Sequence, residues 1–171
     1  AEASYVARVL DSDRAQLTTA LRGAADHKGA ALVEILQNCP IYNDDAYEPL
    51  KSPQTRDERL VRLEHGQPIR FGADAEKGVR RDPHTGALGV CGGDDPDVLV
   101  HDAHTVDPSR AFALSRLDDQ AFSHTPIGIF RDVTRPAYDD MLRAQIDDAI
   151  TRHGEGDLAD LLASGDTWHV G

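Results

Sequence analysis

The sequence predicts an α/β fold, because a β-prone run, an amphipathic helix and an almost continuously apolar run follow one another within the first 36 residues. Ser4 to Leu10 is the first strand. Asp11-Ser12-Asp13 supplies side-chain oxygens for the orphan amides of a first helical turn. Leu17, Leu21, Ala24 and Ala25 then recur at helical spacing and form one apolar stripe. His27-Lys28-Gly29 ends the helix with basic groups at its negative end and a glycine for the cap. Ala30 to Leu36 has the composition of a strand covered on both faces. Strand, helix and buried strand in this order predict a parallel βαβ unit with a right-handed crossover.

After Cys39 the character changes to an α+β extension with β-hairpins and helices. Pro40 to Pro53 is polar and reads as an ordered loop. Arg59 to Phe71 predicts a hairpin turning at His65-Gly66, and Gly78 to Cys91 a second one with Asp82-Pro83-His84-Thr85-Gly86 at its tip. Val98 to Val100 is a short strand, and Pro108 to Leu117 a helix with Ala111, Phe112, Leu114 and Leu117 on its apolar side. Arg135-Pro136 opens the clearest helix, in which Tyr138, Met141, Leu142, Ile146, Ala149 and Ile150 share a face. Gly154 and Gly156 stop it, and Leu158 to Leu162 forms a last short helix. We expect residues 1–52 to be the end of the α/β domain and residues 53–171 an extension packed on it.

Composition removes several classes of function. The 171 residues carry a formal charge of −12, which argues against nucleic acid, whose phosphates need clustered Lys and Arg. No apolar run approaches the roughly 20 residues that span a bilayer. Ala1 to Tyr5 lacks the basic and apolar segments of a signal peptide, and a first residue other than Met fits a processed or excised segment. Two cysteines, Cys39 and Cys91, are too few to staple a secreted scaffold of this size. A cytoplasmic chain with reduced thiols is the expectation.

Most candidate chemistry dissolves on inspection. His101 and His104, with Asp102 between them, have a spacing that could begin a metal site on a helix. They sit at a strand end with no further cluster near in sequence, and read as polar residues there. Gly92-Gly93 lacks the spacing and Lys of a phosphate loop, and no Gly-x-Ser-x-Gly is present. Cys39 differs because it follows a parallel strand by three residues, and ligands of open α/β sheets bind outside such strand ends. Pro40 turns the chain away behind it. Position alone still reads as a space-filling cysteine.

The run from His27-Lys28-Gly29 through Gln37-Asn38-Cys39-Pro40-Ile41-Tyr42-Asn43-Asp44 resembles a segment of the β subunits of 2-oxoacid:ferredoxin oxidoreductases. Members of that family show a helix ending in His-Lys/Arg-Gly, an apolar strand, and then Gln-x-Cys-x-x-(Phe/Tyr)-Asn, and every one of those positions is filled here. Tyr5-Val6-Ala7-Arg8 resembles the family's preceding strand. Leu99-Val100-His101-Asp102, Thr125 to Arg131 and Arg135-Pro136-Ala137-Tyr138 resemble the C-terminal extension of the actinobacterial 2-oxoglutarate branch. The whole chain is thus similar to the C-terminal half of the thiamine-diphosphate-binding subunit. Asp45 departs from the family, many members of which have Gly after Asn-Asp.

The resemblance implies a parallel βαβ fragment of a thiamine-diphosphate-binding fold, and implies Cys39 as a ligand of a 4Fe–4S cluster whose other three cysteines lie in the first half of the subunit. Cys91 has no such counterpart and reads as structural. The complete enzyme would decarboxylate 2-oxoglutarate with coenzyme A and pass electrons singly to ferredoxin. Pyruvate or a branched-chain 2-oxoacid is the alternative substrate, and a free-standing, non-catalytic interaction domain the alternative of a different class. The implied partners are the remainder of the β subunit, the α subunit and ferredoxin, with neither nucleic acid nor membrane. Thiamine diphosphate, Mg²⁺ and the cluster belong to the complete subunit. The Gly-Asp-Gly…Asn and Cys-x-x-Cys motifs that hold them do not occur here, so none is expected in the isolated chain, which should be inactive.

Overall fold

The computed structural model describes residues 2–118, 121–168 and 170–171. It divides into two units, residues 1–135 and 136–171. The predicted βαβ opens the first unit. Strand β1 (Tyr5–Leu10) leads into helix α1 (Arg14–Asp26), and β2 (Ala31–Leu36) returns parallel to β1 with Tyr5 opposite Ala31 and Leu10 opposite Leu36. Asp13 caps α1 as its position predicts, its Oδ1 accepting from the Gln16 amide at 3.1 Å. At the other end His27 is extended, and Gly29 takes φ +132 where the chain swings into β2.

Two short helices, α2 (Glu48–Lys51) and α3 (Arg56–Arg59), precede β3 (Leu60–Leu63). A small antiparallel sheet follows, made of β4 (Arg70–Phe71), β5 (Lys77–Arg81) and β6 (Leu88–Gly92) in that order. Helix α4 (Ser109–Ser115) then leads to β7 (Thr125–Asp132), which enters the first sheet to give the order β2-β1-β7-β3. Strand β7 is antiparallel to β1 and parallel to β3. The mixed sheet with helices is the α/β class read from the sequence, and the β5–β6 hairpin and α4 fall where expected.

Alternation of side chains divides the packing between the two faces of β1. Tyr5, Ala7 and Val9 pack under α1 with Ala20, and the Tyr5 hydroxyl donates to the Ala20 carbonyl at 3.0 Å. On the other face Val6 joins a core of Val61, Leu63, Ile69, Phe71, Val79, Leu114 and Phe130, which ties β3, β7, the small sheet and α4 together. A third cluster of Leu10, Leu36, Leu50, Leu60 and Ile127 closes the end of the sheet from which the Cys39 loop departs. Burying side chains of this size is worth roughly 1.5–3 kcal/mol each.

Three local expectations are corrected. The segment Arg59 to Phe71 is not a hairpin: β3 pairs with β7 and β4 with β5, while the intervening residues run beside 99–101, with the Ile69 amide donating to Leu99 at 2.8 Å and the Gly66 amide to His101 at 2.8 Å. Val98 to Val100 forms only isolated bridges, to Arg80 and Pro68. Strand β2 is not covered on both faces: it is an outer strand in which only Leu36 is buried, and Leu32 is 57% exposed.

The second unit contains α5 (Tyr138–His153) and α6 (Leu158–Leu162), at the predicted positions. Gly154 terminates α5 at φ +79, and the Asp157 side chain caps α6 through the Asp160 amide at 3.0 Å. No residue of either helix is buried.

Candidate functional site

The carboxyl end of β2 delivers the chain to Cys39 through Gln37 and Asn38. There the backbone reverses at once, the Cys39 carbonyl accepting from the Asn43 amide at 2.9 Å. Pro40 has no amide to place there. The backbone amides beside the thiol, Tyr42 first and then Ile41, hold it below its ordinary range against the opposing effect of desolvation. Asn38 Nδ2 closes the loop onto Asp44 Oδ1 at 2.8 Å, and the same oxygen accepts from the Asp45 amide at 3.1 Å. Asp45 takes φ +57, so the residue that departs from the family's Gly does occupy a left-handed position. Asp is one of the few side chains that tolerate it.

Sulfur receiving several backbone N–H groups is stabilised as thiolate, the form that ligates soft metals and iron–sulfur clusters. Cys39 is half-buried, and Ile41 and Tyr42 beside it are 83% and 90% exposed. Cys91 lies on β6 in the small sheet, where burial and then Asp95 push its thiol up. The two thiols thus have opposite electrostatics. Among the described residues no group of three or more His, Cys, Asp or Glu is arranged to hold a metal.

His101 and His104 are each committed to a backbone carbonyl. His101 is buried and its Nε2 lies 2.7 Å from the Ile129 carbonyl, while His104 Nδ1 lies 2.6 Å from that of Asp132. Both nitrogens must carry the proton, since a carbonyl only accepts. Sequence reasoning missed a different pairing: the His65 ring packs against His104 at a tilt of 54° with centroids 4.3 Å apart, and the Ala103 amide donates to His65 Nδ1 at 3.3 Å. These two rings border a cavity of about 570 Å³ with Arg62, Glu64, Gln16 and Asp132. The two histidines stand 39 positions apart in the sequence and left no local signal, because the loop at 101–104 reaches the residues after β3 only through long-range backbone bonds, such as that from the His101 amide to the Gln67 carbonyl at 2.9 Å.

No family model matches the chain. The 2-oxoglutarate oxidoreductase subunit KorB of Mycobacterium tuberculosis is 47% identical over 175 aligned residues, which take in 99% of this chain and 46% of the relative. The resemblance read from the sequence is therefore borne out: from end to end the chain is similar to a 2-oxoglutarate oxidoreductase subunit, and it spans about half of that subunit's length.

Proposed function

We propose that this chain is part of the thiamine-diphosphate-binding subunit of a 2-oxoglutarate:ferredoxin oxidoreductase, in which Cys39 supplies one thiolate to a 4Fe–4S cluster. The observation that carries the reading is the Cys39 loop, which reverses just past a parallel strand end, the Cys39 carbonyl accepting from the Asn43 amide at 2.9 Å and Asn38 clamped to Asp44 at 2.8 Å. It stands in a chain similar along its whole length to a 2-oxoglutarate oxidoreductase subunit. When bound, the cluster supplies a one-electron carrier. The chain's own part is to present Cys39 as an anion, to fix its direction through the Asn38–Asp44 clamp, and to tune the sulfur by hydrogen bonding.

The residues present fit one corner of a cluster and no more. Cys91 is in the other sheet, so the remaining thiolates come from the rest of the subunit. Thiamine diphosphate with Mg²⁺ does not fit this chain. Diphosphate and Mg²⁺ need converging amides and hard oxygen ligands, and the Gly-Asp-Gly…Asn motif that supplies them in the family does not occur in this sequence. We assign those ligands to the remainder of the subunit, residues 1–52 to its α/β domain and residues 53–171 to the extension. The wet apolar side chains of β2, Leu32 and Ile35, support that division: they have the composition of a covered strand, and the remainder of the subunit covers them. Coenzyme A, ferredoxin and a companion α subunit complete the cytoplasmic enzyme.

Cys39→Ser in the complete subunit, purified with its companion, tests the assignment. The expected outcome is loss of one cluster by iron analysis and EPR, with thiamine diphosphate binding largely retained. Unchanged iron content together with an unchanged cluster spectrum would remove Cys39 from the ligand set.

A further inference from the structure

We propose that the cavity between the β5–β6 hairpin and α4 binds a small zwitterion of the free amino-acid class, its carboxylate against Arg81 and Arg110 and its ammonium against Asp107. The cavity measures about 270 Å³ and lies wholly within residues 81–113. Arg81 closes β5, Arg110 stands in the first turn of α4, and Asp107 lies just before that helix. Arg81 spends its Nε hydrogen on the Gly86 carbonyl at 3.1 Å, and its terminal amino groups make no hydrogen bond or ion pair among the described residues. Arg110 makes none with any of its nitrogens among them. In a chain of 30 acidic against 18 basic side chains, two guanidiniums outside any ion pair on one recess leave a set of carboxylate-binding donors open.

The other polar side chains of the lining only accept. Asp107 Oδ1 takes the Ser109 hydroxyl at 2.7 Å and the Ser109 amide at 2.9 Å, which leaves Oδ2 without a hydrogen bond among the described residues. Those two bonds, with Arg81 and Arg131 adding to them, hold Asp107 below the usual carboxylate range against desolvation. Ser109 has thereby given its hydroxyl hydrogen away, and Thr105 gives its own to Asp102 Oδ2 at 3.0 Å, so both hydroxyls offer the cavity lone pairs alone. A bare anion would meet the Asp107 charge, and a bare cation the two guanidiniums. A ligand that carries both charges answers each. Leu88, Leu99 and Ala113 supply an apolar wall for a short aliphatic side chain. At about 30 Å³ for each water-sized group, the cavity has room for roughly nine non-hydrogen atoms, the size class of valine.

The test is calorimetric titration of the complete subunit with L-valine, and separately with isovalerate, which lacks the ammonium, and isobutylamine, which lacks the carboxylate. L-valine should bind saturably with a Kd of about 1 mM or tighter, and each truncated probe at least about tenfold more weakly. Arg110→Gln should weaken L-valine about tenfold or more, the scale of one lost charge-assisted hydrogen bond, while the melting temperature stays unchanged because Arg110 bonds to nothing in the fold. Asp107→Asn should weaken L-valine and leave isovalerate binding equal or stronger, a reversal that general loss of structure around α4 would not produce. No saturable heat with L-valine, isovalerate binding as tightly as L-valine, or an Arg110→Gln subunit of unaltered affinity would each overturn the proposal. None of these outcomes bears on Cys39, which lies outside the cavity.

Discussion

His101 Nε2 donates to the Ile129 carbonyl at 2.7 Å, across the gap between the loop that follows the small sheet and the last strand of the main one. The ring is buried, and its Nδ1 finds no hydrogen-bond partner. A neutral imidazole needs no partner there as strictly as an imidazolium would, so the site holds the ring uncharged. Burial, the largest influence, lowers the His101 pKa, and Arg110 adds to it against the opposing Ile129 carbonyl and Asp102 carboxylate.

The first prediction concerns acid. Because the folded pKa lies below the ordinary value of 6.5, the unfolded chain binds the proton first as pH falls. Stability contributed by neutral His101 is fully present above 6.5 and is lost as pH drops from there through the folded pKa. Urea unfolding at a series of pH values should show this fall, and His101→Leu should show a shallower one. Equal pH slopes in the two proteins would remove His101 as the source.

Arg131 provides the second. Its guanidinium is buried on β7 and donates to the carbonyls of Ala3 at 2.8 Å, Glu2 at 3.2 Å and Val106 at 2.7 Å. It thereby pins the N-terminal segment and the approach to α4 to one strand. Arg131→Met should leave those carbonyls without their donor and cost roughly 2–4 kcal/mol. Arg131→Lys should recover little, because an ammonium cannot fork to two separated carbonyl groups. Denaturant midpoints at constant m-value measure both.

These two anchors show where the sequence is legible. Helices α1, α5 and α6 and the β5–β6 hairpin were readable because caps, periodicity and turn residues encode them locally. Strand β7 was not: Pro126 and Gly128 interrupt it, and nearly every residue of it is buried, so no alternation marks it. Its register with β1 and β3 is fixed by chain segments more than 60 positions away. Ile69 and Phe71 alternate like the second arm of a hairpin, but their partners came from residues 77–79 and 99, a choice no local pattern could make. The Cys39 loop was legible through its family-like residues, whereas its Asn38–Asp44 clamp and the His65–His104 contact join side chains that no local pattern pairs.

The loop that follows Cys39 yields a third expectation. Asp45 stands at φ +57 and its carbonyl accepts from the Glu48 amide at 3.0 Å, so the backbone there is committed. Asp45→Gly removes a steric cost but adds chain entropy to the unfolded state, and the two nearly offset, leaving stability within about 0.5 kcal/mol. Asp45→Val puts a β-branched side chain in the left-handed region and should cost about 1–2 kcal/mol or more. Paired thermal melts separate them. A Val variant as stable as the Gly variant would mean that this backbone conformation is not required.

The last prediction concerns the two backbones that flank β7 at Gly128. This residue lies opposite Arg8 on one side and Leu63 on the other, so it is hemmed in by strands in both in-plane directions. Its φ is +117, a conformation in which a side chain is strained whatever the space. A Cβ added there would meet the Leu63 carbonyl oxygen at 2.6 Å, and that oxygen belongs to a β-ladder with little freedom to retreat. Strain and overpacking therefore act together, and Gly128→Ala should cost about 2–4 kcal/mol. Gly89 is the internal control, since it too lies in a strand but a Cβ there meets nothing within 4 Å. Gly89→Ala should be neutral or slightly stabilising by reducing the entropy of the unfolded chain. In a domain of this size each kcal/mol moves the melting midpoint by roughly 2–4 °C, so calorimetry resolves the pair easily. Equal melting temperatures for the two variants would show that β7 does not run between β1 and β3 in this register.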